Sequence, residues 1–189
     1  MMARFRTKAT LAAAQQPAQP NEWVEFEGGV LYLPETIKRY NYVKQSGKEL
    51  DATGYLVPLV SQEVLTAWLS RLENDGPAAQ LSYADCRVLV SFTPSEFKAR
   101  FGEIATAIDT GQPIDYQQVS RENVAGLAHP VEWLDFEVLP TLLNKWSGLD
   151  RQSARVIEFG GKPVQRSEGV TMTLVGLLLV ALGVWRLRS

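Results

Sequence analysis

One histidine, His129, and one cysteine, Cys86, bound the chemistry this chain can do alone. A lone thiol forms no intrachain disulfide, and a lone thiol with a lone imidazole cannot build a zinc site of the usual Cys/His kind. Any hydroxyl or thiol activated by an imidazole must use His129. Glu132, Asp135, Glu137 and the indole of Trp133 surround it in sequence, which is material for a carboxylate–imidazole pair. On a helix, however, residues 132 and 135 share a face while 137 points elsewhere. That pattern fits a solvated acidic face with its aromatics turned inward.

The remaining motifs are weaker. Asp109-Thr110-Gly111 spells the triplet of aspartic proteases, but it follows an amphipathic stretch rather than a strand. Gly28-Gly29 and Gly160-Gly161 lack the lysine and the helix that a phosphate loop requires. Cys86 precedes an apolar run and reads as a packing residue. No catalytic, cofactor-binding or metal-ligating residue is assigned, and no cofactor is expected.

The elements that would position any site divide the chain unevenly. Residues 169–185, GVTMTLVGLLLVALGVW, run 17 residues without charge or proline. At about 1.5 Å per residue a helix of that length covers roughly 25 Å, the short end of what spans a bilayer. Ser167 and Leu187 can extend it. The expectation is a transmembrane helix over 169–187, with Arg166, Trp185, Arg186 and Arg188 at the membrane interfaces. Gly169, Gly176 and Gly183 recur every seven residues, and Thr173 and Val180 complete a 4-3-4-3 seam. Leu174, Leu177, Leu178 and Leu182 lie on the other side. A stripe of small residues lets a second backbone approach closely, so the seam is expected to pack on a partner helix at a shallow, left-handed crossing.

Charge follows the same division. Residues 1–21 hold Arg4, Arg6 and Lys8 and no acid, a net of +3; residues 22–160 hold 12 basic and 20 acidic groups, a net of −8. From residue 161 onward the net is again +3, and the whole chain carries −2. An acidic body between basic ends is not a nucleic-acid footprint. Basic groups beside a span suit anionic headgroups. Residues 1–21 lack the apolar core of a secretory signal; a flexible or partner-ordered arm is expected, and an organellar transit peptide has the same composition.

The body, residues 22–160, is expected to be one α+β or α/β domain with a mixed sheet and several helices. Residues 23–27 alternate as a half-buried strand, Gly28-Gly29 supplies a turn, and 30–33 return, which reads as a hairpin. Residues 35–43 fit a short helix or a third strand, and 45–54 a loop. Residues 55–60, broken at Pro58, fit an edge strand. Ser61 caps a helix over 62–74 with Val64, Leu65, Trp68, Leu69 and Leu72 on its apolar face. Residues 87–92 form the best central strand. Thr93-Pro94-Ser95-Glu96 then opens a helix to Asp109, carrying Phe97, Phe101, Ile104 and Ile108 onto that strand, like half of a βαβ unit. Replacing Phe101 by alanine is expected to cost about 3–5 kcal/mol. Residues 114–119 fit a strand, and Ser120 a cap for a turn through Gly126. A helix kinked at Pro140 is expected from Pro130 to Trp146, and a last strand over 155–159. Residues 161–168 are the linker to the span.

The functional expectation is a non-catalytic, single-pass subunit that recruits or stabilises partners in a membrane complex, touching lipid and other protein subunits but not nucleic acid. Arg151, Arg155, Lys162 and Arg166 on the body side, against Arg186 and Arg188 beyond the run, place the body on the cytoplasmic or matrix-like side. Two rivals are a structural protein of a membrane-containing virus particle, and a membrane-tethered enzyme or small-ligand binder using carboxylates of the 109–137 region.

Overall fold

The computed structural model describes residues 4–9, 22–42, 49–76, 79, 81–134, 142, 144–146 and 148–160. Their centre is one mixed sheet of nine strands: β1 (Arg4–Ala9), β2 (Glu22–Phe26), β3 (Val30–Tyr32), β4 (Ile37–Tyr42), β5 (Glu49–Val60), β6 (Val88–Phe92), β7 (Val119–Ser120), β8 (Val124–Pro130) and β9 (Arg155–Phe159). Three helices accompany it: α1 (Gln62–Asp75), α2 (Pro94–Arg100) and α3 (Gly102–Thr110). The strand order is β1-β2-β8-β9-β6-β5-β3-β7, with β4 also on β5. The α+β expectation with a mixed sheet and several helices is met.

The sheet must curl. β2 and β3 are separated by four intervening strands, which in a flat sheet is about 24 Å. Yet only residues 27–29 connect them, and four Cα steps reach at most about 14 Å. The same holds for the link 121–123 between β7 and β8. The result is a half-barrel. The expected hairpin between residues 23–27 and 30–33 is therefore corrected: both strands exist, but β2 pairs with β1 and β8, and β3 with β5 and β7. Gly28, at φ +74°, turns the chain from one flank of the half-barrel to the other.

Period-2 alternation sorts the strand side chains onto two buried faces. Val24, Phe26, Leu31, Val57, Leu59, Val88, Val90, Val124 and Ile157 form one cluster with Phe97 and Ile104 of α2 and α3. It joins residues from both flanks and so fills the concave side. Val30, Tyr32, Leu56, Val60, Leu89 and Val156 face the other way, against Leu65, Trp68 and Leu72 of α1, Tyr83 and Trp146.

Local signals decide α1 and the start of α2. The Ser61 hydroxyl accepts from the Val64 N–H at 3.3 Å, and Gly76 ends α1 at φ +84°. Thr93 and Glu96 form a reciprocal capping box with Pro94 in the first turn. The single helix expected to Asp109 is instead two, because Phe101 takes φ −130°, ψ 48° between α2 and α3. Phe97 is fully buried and stacks on Tyr55 at 4.2 Å, whereas Phe101 is half-buried and meets Phe92 edge-on at 5.9 Å.

Other expectations shift as well. β5 is not an edge strand: β6 lies on one side and β3 and β4 on the other. Pro58 falls between the β4 register, which stops at Leu56, and the β3 register, which starts at Leu59. A 3-10 turn at Leu33–Glu35 interrupts the neighbour there, so the missing N–H costs no ladder bond on that side. Residues 49–54, read as loop, extend β5, and of the two alternatives for 35–43 the strand holds, as β4 (Ile37–Tyr42). Val124–Pro130, read as a turn running into a helix, is strand β8, followed by a 3-10 turn at Val131–Trp133. β6 and β9 are parallel neighbours, as the βαβ reading requires, but β7 and β8 intervene in the chain. Residues 4–9, placed in the arm, form β1, parallel to β2. Among the described residues no helix is long and apolar enough to cross a membrane, and the 169–187 segment lies outside them.

Candidate functional site

Parallel strands end side by side, so their last side chains and the loops that follow converge. At the ends of β6 and β9, Ser91 pairs with Glu158. Beyond them opens a cleft of about 330 Å³. Phe92 and Phe159, stacked at 4.7 Å, line it together with Ser91, Thr93 and Glu96. Trp133 and Glu158 stand on the β8–β9 side, and Arg39 on the β4 side.

Three residues on that first wall form a unit. His129 of β8 and Glu158 of β9 point to the same sheet face, because His129 pairs with Val156, two residues before Glu158. The imidazole is 7% exposed and stacks on the Trp133 indole at 4.3 Å with 14° between planes. Its Nε2 lies 3.6 Å from Glu158 Oε2, and that buried nitrogen has no hydrogen-bond partner. Trp133 is 50% exposed and the Glu158 side chain 49%. A buried imidazole thus backs an open indole and an open carboxylate.

The other polar groups are mostly engaged. Glu96 Oε2 accepts from the Thr93 N–H at 3.1 Å and its hydroxyl at 2.7 Å. Arg155, which pairs with Pro130 at the start of β9, is 3% exposed and donates to the carbonyls of Gln152 and Ala154 at 3.0 and 2.7 Å. Burial holds its guanidinium below the usual arginine range, partly offset by Glu132 and Asp150. Chemically the cleft is suited to recognition: an aromatic face and a carboxylate at one wall, a guanidinium at the other. His129 Nε2 activates no hydroxyl in this arrangement.

The sequence-derived candidates fare unevenly. His129 does meet a carboxylate, but it is Glu158 rather than Glu132; Asp135 and Glu137 lie outside the described residues. Trp133, expected to turn inward, is exposed, while Trp146 is fully buried. Asp109 closes α3 and forms ion pairs with Lys38 and, at 3.6 Å, Lys98, with the Tyr55 hydroxyl donating at 3.4 Å; Gly111 after it is a helix cap at φ +66°. The triplet is structural. Cys86 is buried, as expected of a packing residue, and burial pushes its thiol up to about 12. Arg155, counted among the basic groups beside the span, is buried. The seam Gly169, Thr173, Gly176, Val180 and Gly183, and the interface residues Arg166, Trp185, Arg186 and Arg188, lie outside the described residues.

Glu158 escaped the sequence reading, although alternation along 155–159 puts it on the side of Val156, an acid on an otherwise apolar face. Its relation to His129 needed β8, whose small residues hid it. Among the described residues no three metal-ligating side chains converge. No family model, curated protein or solved structure matches the chain.

Proposed function

We propose that this protein is a non-catalytic, single-pass subunit, anchored through residues 169–187, that recruits or stabilises partners in a membrane complex. The observation that carries the reading is the position of Gly160. β9 lies between β6 and β8 near the middle of the sheet and ends at Phe159, and Gly160 turns the chain at φ +70°. Eight residues, 161–168, separate this rigid exit from the apolar run. Even fully extended, nine Cα steps from Gly160 reach only about 32 Å, so a span at 169 holds the exit end of the half-barrel close to the bilayer.

The body then lies on the cytoplasmic or matrix-like side, and Gly169, Gly176 and Gly183 face a partner helix while Leu177 and Leu178 face lipid. Gly176→Leu adds a side chain at the closest approach and leaves the hydrophobicity needed for insertion almost unchanged. Membrane insertion is expected to survive alkaline extraction and co-purification with partners in mild detergent to fall. Leu178→Ala is expected to leave the complex intact. A Gly176→Leu chain that keeps every partner refutes the seam, and a wild-type chain washed off by alkali refutes the anchor. Protease outside sealed vesicles whose lumen is the cytoplasmic side is expected to spare the body.

A further inference from the structure

We propose that the cleft at the ends of β6 and β9 binds an ammonium group, primary or quaternary, beside the exposed indole of Trp133 and the carboxylate of Glu158, which line it together.

Two features point to a cation. An indole is the strongest aromatic acceptor of an organic cation, and Trp133 offers half its surface while His129 covers one face of the ring. Glu158 lines the same cleft with about half of its side chain exposed, and its Oε2 lies 3.6 Å from His129 Nε2. A carboxylate beside an aromatic face supplies charge and a polarisable surface together, which a neutral guest of the same shape cannot use.

His129 is a positioning residue here. A buried imidazole nitrogen without a hydrogen-bond partner is disfavoured and asks for a compensating role. Its ring holds the indole plane by stacking, and its Nε2 faces the carboxylate that lines the cleft. The stacked indole does not have to order itself when the guest arrives, which removes part of the entropic cost of binding.

The source of the ammonium follows from the chain path. Gly160 lines the cleft and begins the short connection to the apolar run. If the anchored reading holds, on which this assignment of source rests, choline or ethanolamine headgroups are the ammonium groups at hand. A free alkylamine is the other source of the same chemistry.

The test uses the full chain in detergent, with tetramethylammonium and choline titrated by calorimetry and 3,3-dimethylbutanol as the neutral isostere of choline. Saturable binding of both cations and none of the alcohol is expected. Trp133→Ala and Glu158→Gln are each expected to weaken choline roughly tenfold, with Trp133→Phe retaining part of the affinity. Thermal melts of the variants separate lost binding from lost fold. Equal binding of choline and the alcohol, or no effect of either substitution in a folded variant, overturns the proposal. Choline that competes less well in phosphatidylcholine nanodiscs than in phosphatidylglycerol nanodiscs assigns the lipid as source; equal competition assigns a free amine. Alkaline extraction is read separately: a chain that washes off membranes yet binds choline keeps this site and loses the anchor.

Discussion

Gly126 of β8 lies against the Glu158 main chain so closely that a Cβ on it would sit 1.9 Å from the Glu158 carbonyl oxygen. No side-chain rotation relieves that contact, because both partners are backbone. The close approach falls in the antiparallel β8–β9 ladder, where Gly126 pairs with Phe159 and Leu127 with Glu158. Gly126→Ala is expected to destabilise the body by more than about 3 kcal/mol, the upper range for overpacking. Urea denaturation of the variant checks this. A loss no larger than that of an alanine at an exposed strand position shows that β8 can move away from β9.

The same glycine explains why part of the fold was hidden in the sequence. The α1 helix, β6, β9 and the Thr93 capping box were legible because their signals are local: a 3.6-residue apolar period, a run of β-branched residues, a proline and a glutamate at fixed offsets. β8 reads Val-Ala-Gly-Leu-Ala-His-Pro, with little β-propensity, because its small residues answer to β9 and not to the local chain. Gly28-Gly29 does turn the chain, but the partner of β2 is decided by the curl of the whole sheet. Residues 49–54 look like loop because they are polar, while their strand character comes from pairing with β4. The site shares this limit: His129 was legible as the one imidazole, and its neighbour Glu158 depends on a pairing across 29 positions of sequence.

Phe97 is the more deeply packed of the two phenylalanines expected to seat the helix on β6. It is fully buried, stacked on Tyr55 at 4.2 Å and set against Phe92 at 5.8 Å. Phe97→Ala is expected to lower stability by about 3–5 kcal/mol through lost burial and a residual cavity. Phe101, partly buried at the break between α2 and α3, is expected to lose less on the same truncation, since part of its area is already in contact with water. Parallel denaturant titrations of the two variants compare them, and equal losses contradict the difference in burial.

Asp109 links stability to acid. The Lys38 ammonium, by its hydrogen bond first and its charge as well, holds the Asp109 carboxyl below the usual range; Lys98 adds to this and desolvation opposes it. A depressed carboxyl means that the folded state binds the proton more weakly than the unfolded chain. Its stabilisation is full above the ordinary aspartate value of about 3.9 and is lost as pH falls below it through the folded value. Asp109→Asn is therefore expected to be less stable than wild type at neutral pH and to lose less between neutral pH and pH 3. Urea midpoints at the two pH values measure both effects. Equal acid losses in the two proteins assign the acid sensitivity to other carboxyls.

Cys86 and Tyr32 link stability to alkali, with the opposite sign. Burial pushes the Cys86 thiol up to about 12. Burial, with smaller contributions from Glu35 and Asp115, pushes the Tyr32 phenol up to about 12. Both groups keep their proton more firmly in the folded state, so their contribution is complete below the unfolded values, near 8.5 for the thiol and 10 for the phenol. It is lost as pH climbs from there toward 12. Stability is thus expected to decline above about pH 9, and Cys86→Ala to remove the earlier part of that decline. The thiol has a second readout. A thiolate is the reactive form, and Cys86 is 1% exposed, so a maleimide reagent at pH 8 is expected to leave the native protein unlabelled and to label it fully in guanidinium. Native labelling that is fast and unaffected by stabilising conditions places the Cys86 thiol at the surface and contradicts the packing between α1 and the sheet; labelling that slows in step with global stability shows that the thiol is reached only when the body opens.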